Sequence, residues 1–288
     1  MAAMSAPPAP ESFLSGETGH VAGVRRTVLR TLGDLALDLS ARVSGVDRRL
    51  DQLAERTPAR DVLLLSVYRP STSRLPQALD ELRRTRHRLR LALGSTGEAT
   101  LEHTLATDLH GGKFENLNLL WREASEGPLD WLLVVDDDVG LPQRFLDRFL
   151  AVCEHFELAL AQPAQTLMSH AAWRVTRRRA RSYARETRFV EIGPVTAFRA
   201  DAAAALVPFP ELRYGWGLDL HWGALAAERG WRLGVVDAVP VRHEQSPVAS
   251  TYRHADAIAE AQSFLAERPF VRSDRAQETV ATYRTLGR

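Results

Sequence analysis

The chain has 288 residues, 45% hydrophobic and 25% charged, with a formal net charge of +1. That is the mix of a globular protein with a large core, and it supplies no global field to recruit nucleic acid or anionic lipid. One cysteine, Cys153, excludes an intramolecular disulfide and a thiolate zinc cage.

Residues 1–18 are rich in Ala, Pro, Ser and Gly, and a disordered start is expected there. It lacks the segments of a signal peptide. No later stretch reaches the roughly 18 apolar residues that span a bilayer, so the expectation is a soluble, cytoplasmic protein. Val21, Val24, Val28, Leu32, Leu35, Leu39, Val43, Val46, Leu50 and Leu53 recur at steps of three and four. They share one face of a long helix, weakened by Gly33 and Gly45 and ending near Thr57-Pro58. The expected organisation is therefore a disordered segment over 1–18, an amphipathic helical extension over 19–57 and a main domain over 58–288. The extension packs on its own domain, forms a homodimer as a coiled-coil arm, or lies on a membrane. Charges of both signs on its polar face argue against the last.

Asp61 to Tyr68 reads as a buried strand, broken by Arg69-Pro70-Ser71. Leu75 to Arg86 reads as a helix, and Leu89 to Leu93 as a second strand ending at Gly94-Ser95-Thr96-Gly97. This rhythm predicts a βαβ unit in a parallel sheet. A helix over Asn116 to Ala124 follows, then a strand from Trp131 to Val135 that runs straight into Asp136-Asp137-Asp138. Short strands are expected at Leu158–Ala161 and Phe189–Ile192, helices at Ala200–Leu206 and Leu218–Glu228, and a last strand at Leu233–Val236. The fold class is α/β, with a mixed, mostly parallel sheet flanked by helices.

Ligands of open α/β sheets bind at the carboxyl ends of strands, where the three aspartates lie. Packed carboxylates stay ionised most easily beside a cation. Such hard oxygen ligands suit Mg²⁺ or Mn²⁺, which usually also hold substrate phosphates; the plainer reading is a solvated acidic turn. Of 37 basic residues only Lys113 is a lysine, a compact ammonium where a planar guanidinium would fit differently. The arginines of Thr176 to Arg185 are too few, and too poor in aromatic neighbours, for nucleic acid. They read as a solvated loop, or as a contact for an anionic acceptor.

Val134-Val-Asp-Asp-Asp138 resembles the DxD element of GT-A glycosyltransferases. The resemblance implies Asp136 and Asp138 as ligands of a divalent metal on a nucleotide-sugar diphosphate, with Asp137 in the variable place on the donor side. Tyr214-Gly-Trp-Gly-Leu-Asp219 resembles the Trp-Gly-x-Asp/Glu element of these enzymes. That implies Trp216 and Gly217 beside the sugar and Asp219 as the base facing the acceptor. The alternatives are a core tryptophan and a helix-start carboxylate. His243 matches the late histidine that completes the metal shell. Gly111-Gly-Lys-Phe-Glu-Asn-Leu-Asn118 resembles the donor-contacting segment, with Lys113 offsetting diphosphate charge and Asn116 bonding the nucleotide. Ser66, Tyr68 and Arg69 lie where these enzymes grip base and ribose.

Gln162-Pro-Ala, Ser169-His-Ala-Ala-Trp173 and Phe189-Val-Glu-Ile-Gly-Pro194 resemble, in order, an uncharacterised GT-A-like family found widely in plants. The likeness runs over about residues 60–245. Within it Glu191 is an acceptor-side carboxylate or a strand-end acid. Together these resemblances imply a GT-A fold, Mn²⁺ or Mg²⁺ as cofactor, a UDP-, GDP- or dTDP-sugar donor and a hydroxyl acceptor. The implied reaction is inverting transfer with Asp219 as base. The rival expectations are a non-catalytic sugar-nucleotide or glycan-binding protein on the same fold, and a metal-dependent nucleotidyl or phosphoryl transferase. No P-loop signature supports the latter.

Overall fold

The computed structural model describes residues 24–169, 171–243 and 252–287. The segment expected to be disordered lies outside these residues, as do His170 and Glu244. The periodic stretch forms two helices, α1 (Val24–Val43) and α2 (Val46–Arg56), where one was expected. Gly45 takes a left-handed φ of 69° between them, a conformation that interrupts an α-helix.

Strand β1 (Asp61–Tyr68), helix α3 (Leu75–Leu82) and strand β2 (Arg88–Ser95) form the expected βαβ unit, and β1 and β2 pair in parallel. There follow β3 (Thr104–Ala106), α4 (Lys113–Ala124), β4 (Trp131–Val135), β5 (Val139–Gly140), α5 (Phe145–His155) and β6 (Leu158–Gln165). The second half contains β7 (Ala184–Thr187), β8 (Val195–Arg199), α6 (Ala200–Leu206), α7 (Leu218–Arg229) and β9 (Arg232–His243). The chain closes with α8 (His254–Leu265), α9 (Ser273–Ala276) and β10 (Thr279–Tyr283).

One mixed sheet runs in the order β10-β7-β9-β6-β8-β4-β1-β2-β3. Its β4-β1-β2-β3 half is wholly parallel, and β6 and β9 are also parallel. β8 is antiparallel to both of its neighbours, β4 and β6. Because β1 and β4 are parallel neighbours, Arg69 and Asp136 leave the sheet at the same edge. Helices cover both faces. Phe114 and Leu117 of α4, Trp222 of α7 and Leu265 of α8 pack on one side. Leu50 of α2, Leu79 of α3 and Phe149 of α5 pack on the other.

Two expectations are corrected. Phe189–Ile192 is not a strand: Phe189 and Val190 are fully buried, but side chains bond the main chain that follows them. Gln162 Oε1 accepts the Glu191 N–H at 2.5 Å, and the Thr196 hydroxyl donates to the Glu191 carbonyl at 3.0 Å. The arginine-rich run is a solvated loop only at its middle, where Arg179, Ala180 and Arg181 are exposed. Arg185 is wholly buried in an ion pair with Asp237 of β9 at 2.8 Å, and Arg178 reaches Asp34 and Asp38 of α1 at 3.3 and 2.8 Å. A buried guanidinium stays charged and is costly unless it is paired and hydrogen-bonded, and Arg185 also donates to the carbonyls of Val175 and Arg177.

Helix α2 belongs to the body of the domain. Leu50 is fully buried, and Arg148 of α5 holds Asp51 at 2.7 Å and Asp47 at 3.0 Å. Leu50→Ala should cost about 2–5 kcal/mol in urea unfolding, the range for a truncated core leucine. Removing residues 1–45 should leave a cooperative melt, whereas removing 1–56 should abolish it. A cooperative melt from the shorter chain at the parental temperature would show that α2 is dispensable.

Candidate functional site

A cleft of about 660 Å³ opens at the carboxyl ends of β1 and β4. Along one wall each of the three consecutive aspartates meets a different basic side chain. Lys113, first residue of α4, places Nζ 2.5 Å from Asp136 Oδ1 and also donates to the Ile192 carbonyl at 2.7 Å. Arg69 grips Asp137 in a fork, Nη2 to Oδ1 at 2.7 Å and Nε to Oδ2 at 3.0 Å, and adds its own main-chain N–H at 2.9 Å. His243, last residue of β9, brings Nε2 to 3.0 Å from Asp138 Oδ1. Burial opposes ionisation of Asp138. The hydrogen bond and charge of His243, with Arg69 and Lys113 near, outweigh it and hold the carboxyl below the usual range.

Asp136, Asp138 and His243 each offer one ligand atom, and these atoms lie within 4.8 Å of one another. Two carboxylates and an imidazole form a donor set that suits a divalent metal, and the ammonium already on Asp136 shows that the place attracts a cation. The residues therefore fit a divalent metal. Asp137 turns the other way, towards Arg69, and its carbonyl accepts the Arg74 N–H at the start of α3 at 2.7 Å. Packing is close at Gly193, where a Cβ would fall 2.6 Å from Asp136 Oδ2 and displace that carboxylate. At Gly112 it would fall 1.9 Å from the Arg213 carbonyl oxygen.

Of the expected donor residues, Tyr68, Arg69, Lys113 and Asn116 line the cleft and Ser66 does not. The Ser66 hydroxyl is buried and donates to the Val135 carbonyl at 2.7 Å, tying β1 to the end of β4. Tyr68 Oη accepts the Thr100 and Leu101 N–H groups at 2.9 and 3.2 Å. Asn116 donates to the Gly111 carbonyl at 3.0 Å.

The far wall is aromatic. Trp216 lines the cleft, and its indole N–H donates to Tyr252 Oη at 2.9 Å, while Tyr214 and Tyr252 lie with ring centroids 4.7 Å apart. Gly217 carries a φ of 88° at the head of α7. Glu260 of α8 holds this turn by accepting the N–H groups of Arg213, Tyr214 and Gly215 at 2.7, 2.9 and 3.1 Å.

Glu191 and Asp219 are both buried. Glu191 lines the cleft, accepting from Gln165 Nε2 at 2.8 Å; Asp219 is not among the lining residues, and its Oδ1 accepts the Leu220 N–H at 2.9 Å. Burial pushes Glu191 up to about 7. It pushes Asp219 up to about 8, with the charge of Glu191 adding to the rise.

No family model matches the chain, and no curated protein matches it by sequence. Solved structures do. GalNAc-T7 with UDP, GalNAc and Mn²⁺ aligns at a TM-score of 0.50 and 11% identity, over 64% of this chain and 44% of that one. The fold is GT-A. This chain thus spans less than half of GalNAc-T7. A second match, S. aureus TarS 1–349 in complex with UDP-GlcNAc, has a TM-score of 0.44 at 12% identity, over 75% and 69% of the two chains. Among the described residues no helix is long and apolar enough to cross a membrane.

On this GT-A frame the sequence reading missed Tyr214, Tyr252, Gly193 and Glu260. Tyr252 and Glu260 follow the last recognised motif and lie in no pattern that marks a site. Gly193 sits in the quoted Glu-Ile-Gly-Pro run, but its need for space shows only once Lys113 and Asp136 face it.

The two raised carboxyls set a pH dependence of stability. The folded chain keeps these protons at pH values where the unfolded chain, with carboxyls near 4, has released them. Stability from this pair is therefore greatest below about pH 4 and falls as pH rises through about 8. The double variant Glu191→Gln/Asp219→Asn should flatten that fall, which urea unfolding at pH 5 and pH 8 without metal will measure. An unchanged difference between the two pH values would show that neither carboxyl is raised.

Proposed function

We propose that this chain is a glycosyltransferase that moves a sugar from a nucleoside-diphosphate donor to an acceptor hydroxyl. The observation that carries the reading is the convergence of Asp136, Asp138 and His243 beside Lys113, in a cleft at the carboxyl ends of β1 and β4. Asp136, Asp138 and His243 would hold Mn²⁺ or Mg²⁺, which neutralises charge developing on a leaving diphosphate. Lys113 lies where its ammonium can pass from Asp136 to a phosphate oxygen. Asp137 orients Arg69, and Tyr68, Arg69 and Asn116 form the donor end of the cleft. Trp216, braced by Tyr252, presents the apolar platform that a sugar ring needs at the other. Fold alone does not fix a reaction; the matched basic side chains and the aromatic wall support this one. The likeness to the plant family rests on the residue runs alone and adds no substrate.

In the reaction, the acceptor oxygen attacks the anomeric carbon as the bond to the diphosphate oxygen breaks and its electron pair leaves with the diphosphate. Attack from the face opposite the leaving group inverts the centre. The acceptor proton passes to Asp219, the acid of the Trp-Gly-Leu-Asp turn. One observation favours a second reading, in which Glu191 is the base: Glu191 lines the cleft as it stands and Asp219 does not.

Single variants separate the two. Loss of the base should lower transfer by about 10²–10⁴-fold with donor affinity little changed, in Asp219→Asn on the first reading and in Glu191→Gln on the second. A base must be ionised, so kcat/KM should rise with pH towards about 8 for Asp219 or about 7 for Glu191. Parental transfer rates in both variants would remove both from the chemistry.

The metal has its own test. UDP should raise the melting temperature with Mn²⁺ present and barely in chelator, since only binding to the folded state stabilises it. Because the Lys113 ammonium sits on a ligand carboxylate, Lys113→Gln should tighten Mn²⁺ binding to the nucleotide-free protein while weakening UDP. Equal stabilisation by UDP with metal and with chelator would count against the metal site.

A further inference from the structure

Helix α1 turns its apolar stripe away from the protein. Val28, Leu29, Leu32, Leu35, Leu39 and Val43 are 50–81% exposed, and they make up six of the nine large apolar side chains exposed among the described residues. The opposite face anchors the helix. Asp34 accepts the Leu167 and Met168 N–H groups, both at 3.0 Å, while Arg178 pairs with Asp34 and Asp38. A Cβ at Gly33 would fall 2.8 Å from Leu167 Cδ1, so that face is in close contact. Anchored in this way, the helix cannot roll its leucines inward without breaking the Asp34 bonds. A contiguous apolar patch of this kind marks an interaction surface.

We infer that this stripe is a two-fold interface with a second copy of the same chain, formed by two antiparallel α1 helices. Val28, Leu32, Leu35 and Leu39 follow steps of four, three and four, the spacing of a coiled-coil seam. The stripe is nearly symmetric about Leu35–Ala36, so an antiparallel mate sets Val28 against Val43 and Leu32 against Leu39. A closed two-fold contact needs that self-complementarity. The antiparallel direction also opposes the two helix dipoles, which a parallel pair would align.

Other occupants fit less well. Residues 1–23 are dominated by Ala, Pro, Ser and Gly, with Phe13-Leu14 the one adjacent pair of large apolar residues, too little to cover six side chains. A membrane-surface helix carries a basic rim, but among the described residues Thr31, Asp38, Ser40 and a single exposed arginine, Arg42, flank this stripe.

Sedimentation equilibrium of the full chain at tens of micromolar should give a dimer. Leu32→Glu/Leu35→Glu/Leu39→Glu should give a monomer with the parental circular dichroism. Independently of that variant's folding, Ala36→Cys should cross-link to itself on mild oxidation. Val28→Cys should not do so alone, but should cross-link when mixed with Val43→Cys. A parental monomer, self-cross-linking by Val28→Cys, or pelleting of the parental chain with anionic vesicles would overturn the proposal.

Discussion

Three consecutive carboxylates repel one another, and this chain meets the repulsion by bringing a separate basic side chain to each. Arg69 arrives from the end of β1, Lys113 from the start of α4 and His243 from the end of β9. Each attraction is strong only because the acids are partly or wholly withdrawn from water. The parallel pairing of β1 with β4 sets the distance at which Arg69 can fork onto Asp137. Asp137 is the middle acid and, through Arg69 and the main chain of Arg74, the fixed one. With it held, Asp136 and Asp138 project together towards His243. The middle position therefore works as a clamp for its neighbours.

The opposite wall depends on a different device. Backbone N–H groups of the Arg213–Gly215 turn have no ladder to join, and Glu260 of α8 accepts all three. Helix α8 thus fixes the turn that aims Trp216, and Tyr252, just before that helix, braces the indole. Glycines allow the approach. A side chain at Gly215 would meet the Phe114 ring at 2.3 Å, so the turn rests on the same helix that supplies Lys113.

Much of the parallel half was legible because its strands are continuous apolar runs, and the aspartates stood out at the end of one of them. What the sequence concealed has physical reasons. The apolar period of α1 and α2 is real, but periodicity says nothing of which body covers the face: α2 buries Leu50 while α1 exposes its leucines. Phe189–Ile192 has the composition of a strand, yet Gln162 and Thr196 side chains take the bonds that a neighbouring strand would make. Arg185 looked like part of a solvated run because its partner, Asp237, lies far along the chain. Helix α8 buries Ala257 and Ala261 before Phe264, and alanines leave a weak period. At the candidate site the DxD-like acids, Lys113 and His243 were legible as residue types. Their one-to-one matching was not, since it exists only between segments distant in sequence.

That matching also orders assembly in time. As the chain leaves the ribosome, Arg69 and Lys113 precede the aspartates, so the partners of Asp136 and Asp137 are already made when those acids emerge. Asp138 differs. Its partner His243 emerges about a hundred residues later, after β6, β7, β8, α6 and α7, and contacts of such long separation form late. Until β9 pairs with β6 and β5, one acid of the trio stays without its imidazole. The first half of the sheet can therefore settle early, while the cleft itself becomes complete only near the end of synthesis.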